Sequence, residues 1–295
     1  MTAADHGTAG ERVDPGEPEP LREEVERLRA QLRDLRARAR VHPLISQAQG
    51  MLRERYALPD AETAFALMQR ASQRSNIKVR TLAGALVTTP GPDRPDGVWF
   101  PRRVRHPEPS LSFTDVHRAG SGNRGGVLGA VLSQTIAVVG TDMGNVQLAD
   151  RARGGLSIEK HTGLTPDFVD FFGHVGREGT SCALAARDVT QVTVRDVETD
   201  PVFTEPARHA ILAAGSRACH SVPLTTASGR CVGMVSAHVD RPLREPTAAQ
   251  HKALDALGRE AGRWIAWHDR TVVLDALEHL HVLGRAARGS RLRRS

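Results

Sequence analysis

From Leu21 the apolar positions recur at intervals of 4, 3, 4, 3 and 4: Leu21, Val25, Leu28, Leu32, Leu35 and the small Ala39. This spacing keeps one stripe on the same side of a helix for about three heptads, with Val25, Leu32 and Ala39 at a and Leu21, Leu28 and Leu35 at d. Such a seam suits a dimerising coiled coil, and Leu21, Val25, Leu28, Leu32 and Leu35 are the candidate dimerisation residues. It also suits a single amphipathic helix packed on its own domain. Pro43 is expected to interrupt or restart this helix, because a proline fits the first turn and not the interior.

Three shorter helical patterns follow. The first runs from about Pro43 to Tyr56, with Leu44, Ile45, Ala48, Met51 and Leu52 on one side. Leu58-Pro59 breaks it, and Asp60 is placed to cap a second helix through about Gln73. Asn76 is placed to cap a third, with Val79, Leu82, Ala83, Leu86 and Val87 facing inward. A three-helix unit of this size is too small for a deep pocket, so its outward face is the part available to a partner. Residues 91–123 are rich in Pro and Gly and read as a linker.

Beyond the linker the pattern changes. A helix is predicted over Gly126–Ala137, then strands over Met143–Ala149, Leu156–His161, Val189–Val194, Ser221–Thr226 and Cys231–His238. The last two flank the turn Ala227-Ser228-Gly229-Arg230. A long helix is predicted from Thr247 to His281. The expected fold class is mixed: a coiled coil and a three-helix bundle, all α, then an α+β domain with one antiparallel sheet and helices on one side. The expected boundaries are 1–20 for an acidic, disordered N-terminus, 21–42 for the coiled coil, 43–90 for the three-helix domain and 91–123 for the linker. The α+β domain follows over 124–270, with a helix end and basic tail over 271–295.

The 295 residues carry a net charge of +6, and 40% of them are hydrophobic, enough for packed cores. The charge is unevenly placed. Residues 1–26 hold two basic and eight acidic side chains, residues 27–90 hold twelve basic and four acidic, and the last fourteen residues hold five Arg and no acid. Aromatics are only 4%, which argues against a base-stacking sheet. The first twenty residues contain no apolar leader segment, and the apolar run Val127 to Gly140 is too short to cross a bilayer. Cys182, Cys219 and Cys231 form no CxxC pair. The expectation is a cytoplasmic protein with reduced thiols and no membrane partner.

The segments Ile45-Ser46-Gln47-Ala48-Gln49-Gly50-Met51-Leu52, Ala61-Glu62-Thr63-Ala64-Phe65 and Ser72-Gln73-Arg74-Ser75-Asn76-Ile77-Lys78-Val79 resemble an ANTAR domain. That family comprises three-helix RNA-binding modules of bacterial transcription-antitermination regulators, often preceded by a coiled coil. The resemblance covers about residues 21–90. It implies RNA stem-loops as the partner and, as candidate RNA-binding residues, Gln47, Ala48, Gln49, Gly50, Arg53, Arg70, Arg74, Asn76, Lys78 and Arg80. Gln49 stands where the family usually has Lys. Basic side chains on a helical face can follow phosphates and stack on unpaired bases. Read from charge alone, the same arginines are a solvated surface.

A second resemblance is carried by Gly140-Thr141-Asp142-Met143-Gly144-Asn145-Val146-Gln147-Leu148, Gly179-Thr180-Ser181-Cys182-Ala183-Leu184-Ala185, Val194-Arg195-Asp196-Val197 and Asp200-Pro201-Val202-Phe203. Ser221-Val222-Pro223-Leu224 and Gly233-Met234-Val235-Ser236 continue it. These segments look like a GAF domain, a mostly sensory fold that holds small ligands between its sheet and the surrounding loops. The candidate pocket residues are Phe168, Phe172, Cys182 and Phe203, although an aromatic run on a short helix is more often core. The ligand and any cofactor are not readable from the residues.

Cys219-His220 and His238 lack a second Cys or His at metal-ligand spacing, so no metal is expected. Some GAF proteins reduce free methionine sulfoxide, with a Cys in the segment matched by Cys182 and a second in a later loop. Residues Pro201 to Ala210 contain none. There is no Walker loop, nucleophile elbow or His-x-x-x-His helix. The expected function is a signal-responsive, homodimeric RNA-binding antitermination regulator and not an enzyme. The alternative is a dimeric sensor or protein-interaction module without RNA binding, and the least favoured reading is the sulfoxide reductase.

Overall fold

The computed structural model describes residues 19–93, 96–114 and 122–292. The expected acidic N-terminus lies almost wholly outside the described residues, as do parts of the linker and the last three residues of the basic tail.

Helix α1 runs Glu19–Tyr56 and contains Pro43. The expected interruption at Pro43 does not occur. A proline removes one backbone donor from the helix ladder, and here the following residues Leu44, Ile45, Ala48 and Leu52 are held helical by packing into a core. Up to Arg40, Leu21, Leu28, Leu32 and Leu35 are 46, 50, 46 and 63% exposed. One-turn ion pairs Arg27–Glu24, Arg29–Glu26 and Arg38–Asp34 run along the same stretch.

Helix α2 (Ala61–Arg74) begins where Asp60 accepts a hydrogen bond from the Thr63 amide. Helix α3 (Val79–Thr88) has Lys78 as its N-cap, not Asn76. Asn76 instead takes a left-handed conformation (φ 49°) in the turn between the helices, which its short polar side chain tolerates.

The three helices do not close a core by themselves. Leu52 and Tyr56 of α1, Met68 of α2 and Leu82 and Leu86 of α3 are buried together with Leu277 and Leu280. The last two belong to α9 (Val272–Leu292). A set of roughly fifty residues buries too small a share of its surface to be comfortable alone, and α9 supplies the fourth side. The long helix expected over Thr247–His281 is therefore two helices. Helix α8 (Ala248–Arg270) starts with a capping box of Thr247 and Gln250 and ends at Thr271. There the linker residue Arg103 donates to the Arg270 and Thr271 carbonyls and pairs with Asp275 and Glu278 of α9.

The remaining elements surround one six-stranded sheet of order β3-β2-β1-β6-β5-β4, antiparallel throughout. The strands are β1 (Met143–Ala149), β2 (Leu156–Thr162), β3 (His174–Val175), β4 (Val192–Val194), β5 (Ala218–Thr225) and β6 (Cys231–Val239). β4 is shorter than expected because Val189 ends the preceding helix α6 (Ser181–Asp188) in a left-handed conformation. Helices lie on both faces of the sheet, not on one. Val222, Leu224 and Val235 bury against α4 (Arg124–Val139) and α8. The alternate residues Cys219 and Met234 bury with α5 (Pro166–Phe171), α6 and α7 (Glu205–Ala213). β5 and β6 are thus buried along nearly their whole length. α8 approaches β5 so closely that a Cβ on Gly262 would run into the backbone of Thr225. Among the described residues no helix is long and apolar enough to cross a membrane.

Candidate nucleic-acid interface and sensor core

The helical unit sorts its candidate residues into distinct environments. On α1, Gln47, Gly50 and Arg53 are exposed, whereas Ala48 is fully buried in the core. Ala48 therefore serves the close approach of neighbouring helices and cannot touch RNA. Gln49 donates its amide to the Ala61 carbonyl at 2.9 Å and ties α1 to the start of α2. Asn76 is exposed in the α2–α3 turn.

On α2, Arg70 and Arg74 are exposed and, like Arg53, have no ion-pair partner among the described residues. They approach His279 of α9, whose pKa is lowered first by burial and then by the charges of Arg74 and Arg70. The positive charge of this surface comes from Arg70 and Arg74 of α2, and their field disfavours a proton on the α9 imidazole.

Lys78 and Arg80 are placed differently. Lys78 Nζ lies 2.8 Å and Arg80 Nη2 2.7 Å from the carboxylate of Glu159 on β2, and Arg124 Nη2 of α4 approaches it at 3.3 Å. The Glu159 side chain is only 9% exposed. Burial works to raise its pKa, and Arg124, Arg80 and Lys78 together hold it below the ordinary carboxylate value. Neither Glu159 nor Arg124 carries a sequence signal: each is one charged residue in an ordinary strand or helix start.

The candidate sensor residues do come together. Phe168 of α5 and Phe172, which caps that helix, lie 4.5 Å apart, ring to ring, and are buried with Phe203; Cys182 of α6 packs against the same cluster. Phe171 is 47% exposed. Phe168 stands edge-on to the buried His238 at 5.0 Å. His238 is hydrogen-bonded to Asn145 (3.2 Å) and Ser216 (3.1 Å), and burial pushes its pKa down to about 4, so the ring is neutral.

A chain of hydroxyls and thiols lines the sheet beside this cluster. Ser221 lies 2.9 Å from Ser236 and 3.2 Å from Ser181, Cys182 is 3.2 Å from Ser236, and Cys219 is 3.3 Å from Ser181. Burial raises the Cys182 pKa and pushes that of Cys219 up to about 12. Both sulfurs are thiols at neutral pH, the unreactive form. Among the described residues no cluster of three His, Cys, Asp or Glu side chains is arranged to hold a metal ion.

Comparison with known proteins bears on both halves. Residues 33–87 match the ANTAR domain family. No curated protein sequence matches the chain. Among solved structures, the GAF domain of an Acinetobacter phosphoenolpyruvate-protein phosphotransferase is 19% identical, with 47% of this chain and 79% of that one covered and a TM-score of 0.38. A GAF domain/HD domain protein from Geobacter sulfurreducens is 17% identical, over 49% of this chain and 92% of that one, with a TM-score of 0.39. Free methionine-R-sulfoxide reductase from Neisseria meningitidis is 17% identical, over 51% and 82% respectively, also at 0.39. The chain contains an ANTAR domain at residues 33–87, and its C-terminal region resembles GAF domains.

Proposed function

We propose that this protein is a signal-responsive RNA-binding regulator of transcription antitermination, acting in the cytoplasm as a homodimer. The ANTAR unit offers its basic face to RNA stem-loops, and the C-terminal domain senses a small ligand at the cluster of Phe168, Phe172, Cys182 and Phe203. The dimer forms through the leucine stripe of α1. The observation that carries the RNA reading is the pair Arg70 and Arg74, exposed on the ANTAR unit and not neutralised by any described acidic side chain. Unpaired guanidinium groups on a rigid helix suit phosphate contact and stacking on unpaired bases. The protonated state of both Cys182 and Cys219 supports a sensing role in place of thiol catalysis.

Titration of an RNA stem-loop against the wild type and an Arg53→Gln/Arg70→Gln/Arg74→Gln variant tests this reading. Loss of affinity in the variant, with a shallower dependence on salt, supports it; equal and salt-insensitive affinities overturn it. A second reading, a sensor that docks protein partners without RNA, is favoured by Gln49, whose amide is spent on the Ala61 carbonyl. Under that reading the triple variant leaves RNA affinity unchanged.

A further inference from the structure

The basic residues of the ANTAR unit fall into two classes. Arg70 and Arg74 face solvent without an acidic partner, whereas Lys78 and Arg80, at the start of α3, converge on one carboxylate from the C-terminal domain. That carboxylate, Glu159, is 9% exposed and meets a third cation in Arg124. Arg124 also donates to the Thr81 hydroxyl of α3 at 3.4 Å, so β2, α4 and α3 are joined at one point. Three cations around one anion is the arrangement a phosphate group would itself occupy.

We infer that Glu159 is a built-in competitor for RNA phosphate: it occupies Lys78 and Arg80 in the closed arrangement, and RNA engages them only when β2 releases them. The inference rests on the RNA-binding reading above and adds to it which residues are withheld and by what. A carboxylate and a phosphate oxygen compete for the same cations, so each weakens the hold of the other. The apparent RNA affinity of the closed chain is therefore reduced by the fraction of molecules in which the clamp is open. A signal that opens the clamp raises affinity by freeing Lys78 and Arg80 for phosphate.

Glu159 is well placed for this role. The carboxylate is too buried to be satisfied by water, so it stays bound to its cations while β2 remains against α3. β2 pairs with β1, whose Asn145 contacts His238 in the sensor core. A rearrangement there reaches Glu159 through one pair of strands.

The test uses the full-length protein and a labelled RNA stem-loop with an unpaired loop, at fixed ionic strength. Glu159→Gln removes the competing charge and is expected to tighten binding by roughly tenfold and to steepen the salt dependence by about two phosphate contacts. Lys78→Gln/Arg80→Gln is expected to abolish that gain when combined with Glu159→Gln. Unchanged or weakened binding by a folded Glu159→Gln protein overturns the inference. So does a gain that persists when Lys78→Gln/Arg80→Gln is added; Glu159→Asp, which draws the carboxylate back from both cations, supplies the same readout if Glu159→Gln fails to fold. Arg70→Gln/Arg74→Gln separates the two levels: if it weakens binding while Glu159→Gln does nothing, the RNA reading survives and the competitor does not. If no variant binds RNA differently from wild type, the RNA reading itself fails.

Discussion

The phenol oxygen of Tyr56, at the end of α1, lies 2.7 Å from Nδ1 of His281 on α9, 225 residues further along the chain. Nε2 of the same imidazole donates to the Gly97 carbonyl at 2.8 Å, which leaves Nδ1 to accept from the tyrosine hydroxyl. One neutral histidine thus joins the first helix, the linker and the last helix. Tyr56→Phe strands a buried acceptor and is expected to cost about 1–2 kcal/mol, read as a lowered midpoint in urea. If the midpoint does not move, the bond is not a structural tie.

The four-helix core makes a stronger prediction. Leu277 of α9 is fully buried among ANTAR side chains, and Leu277→Ala is expected to cost about 2–5 kcal/mol. Gly284 faces the ring of Tyr56, which any added Cβ would strike. Gly284→Ala is therefore expected to destabilise by about 1–3 kcal/mol although alanine favours helix. A neutral or stabilising result by thermal denaturation would separate α9 from the ANTAR unit.

Dimerisation through α1 is tested at its most exposed positions. Leu28 and Leu35 are 50 and 63% exposed, and both sit at d in the heptad reading. Leu28→Asp/Leu35→Asp is expected to shift the protein from dimer to monomer in sedimentation velocity without lowering the stability of the four-helix core. An unchanged sedimentation coefficient would place the dimer contact elsewhere, or remove it.

Acid sensitivity follows from the buried imidazoles. His238 has a folded-state pKa of about 4 against an ordinary 6.5. As pH falls through 6.5 the unfolded chain takes up a proton that the folded chain refuses, so stability is complete above that value and is lost between 6.5 and 4. The slope per group approaches about 1.4 kcal/mol per pH unit. His220, also at about 4, acts in the same direction. The melting temperature is expected to fall from about pH 7 to pH 5, and His238→Gln should make that fall shallower. An identical pH profile in the variant would show that His238 is protonated without cost.

Packing of α8 on the sheet gives the last test. Gly262→Ala forces α8 away from the backbone of Thr225 and is expected to lower stability by more than the Gly284 change, because backbone cannot rotate aside as a ring can. Circular dichroism melts of the two variants decide the order.

Much of this architecture was legible along the chain. Strand β1 (Met143–Ala149) has its expected bounds, Asp60 caps α2 as its position before Ala61 suggests, and the hairpin turn Ala227–Arg230 joins β5 to β6. These are local matters: a cap, a strand, a turn. Ala48, an RNA-binding candidate by resemblance alone, is buried in the core, because a family motif mixes packing positions with contact positions. Pro43 was misread because a proline's penalty is local, whereas the packing of Leu44, Ile45 and Leu52 that overrides it is not.

The chain alone placed β1, β2, β5, β6 and the helix starting after Asp60, the concentration of positive charge on residues 27–90 and the two family resemblances, each carried by short local stretches, whereas the split of α8 from α9 and the short elements β3 and α7 left no such mark. Tertiary structure alone decided that α9 completes the ANTAR core, that helices cover both faces of the sheet and that Glu159 meets Lys78 and Arg80 across 81 residues in one case. The reason is physical. Periodicity records that a side chain is buried or charged, but the identity of what buries or neutralises it is set by distant segments whose separation along the chain leaves no periodic mark.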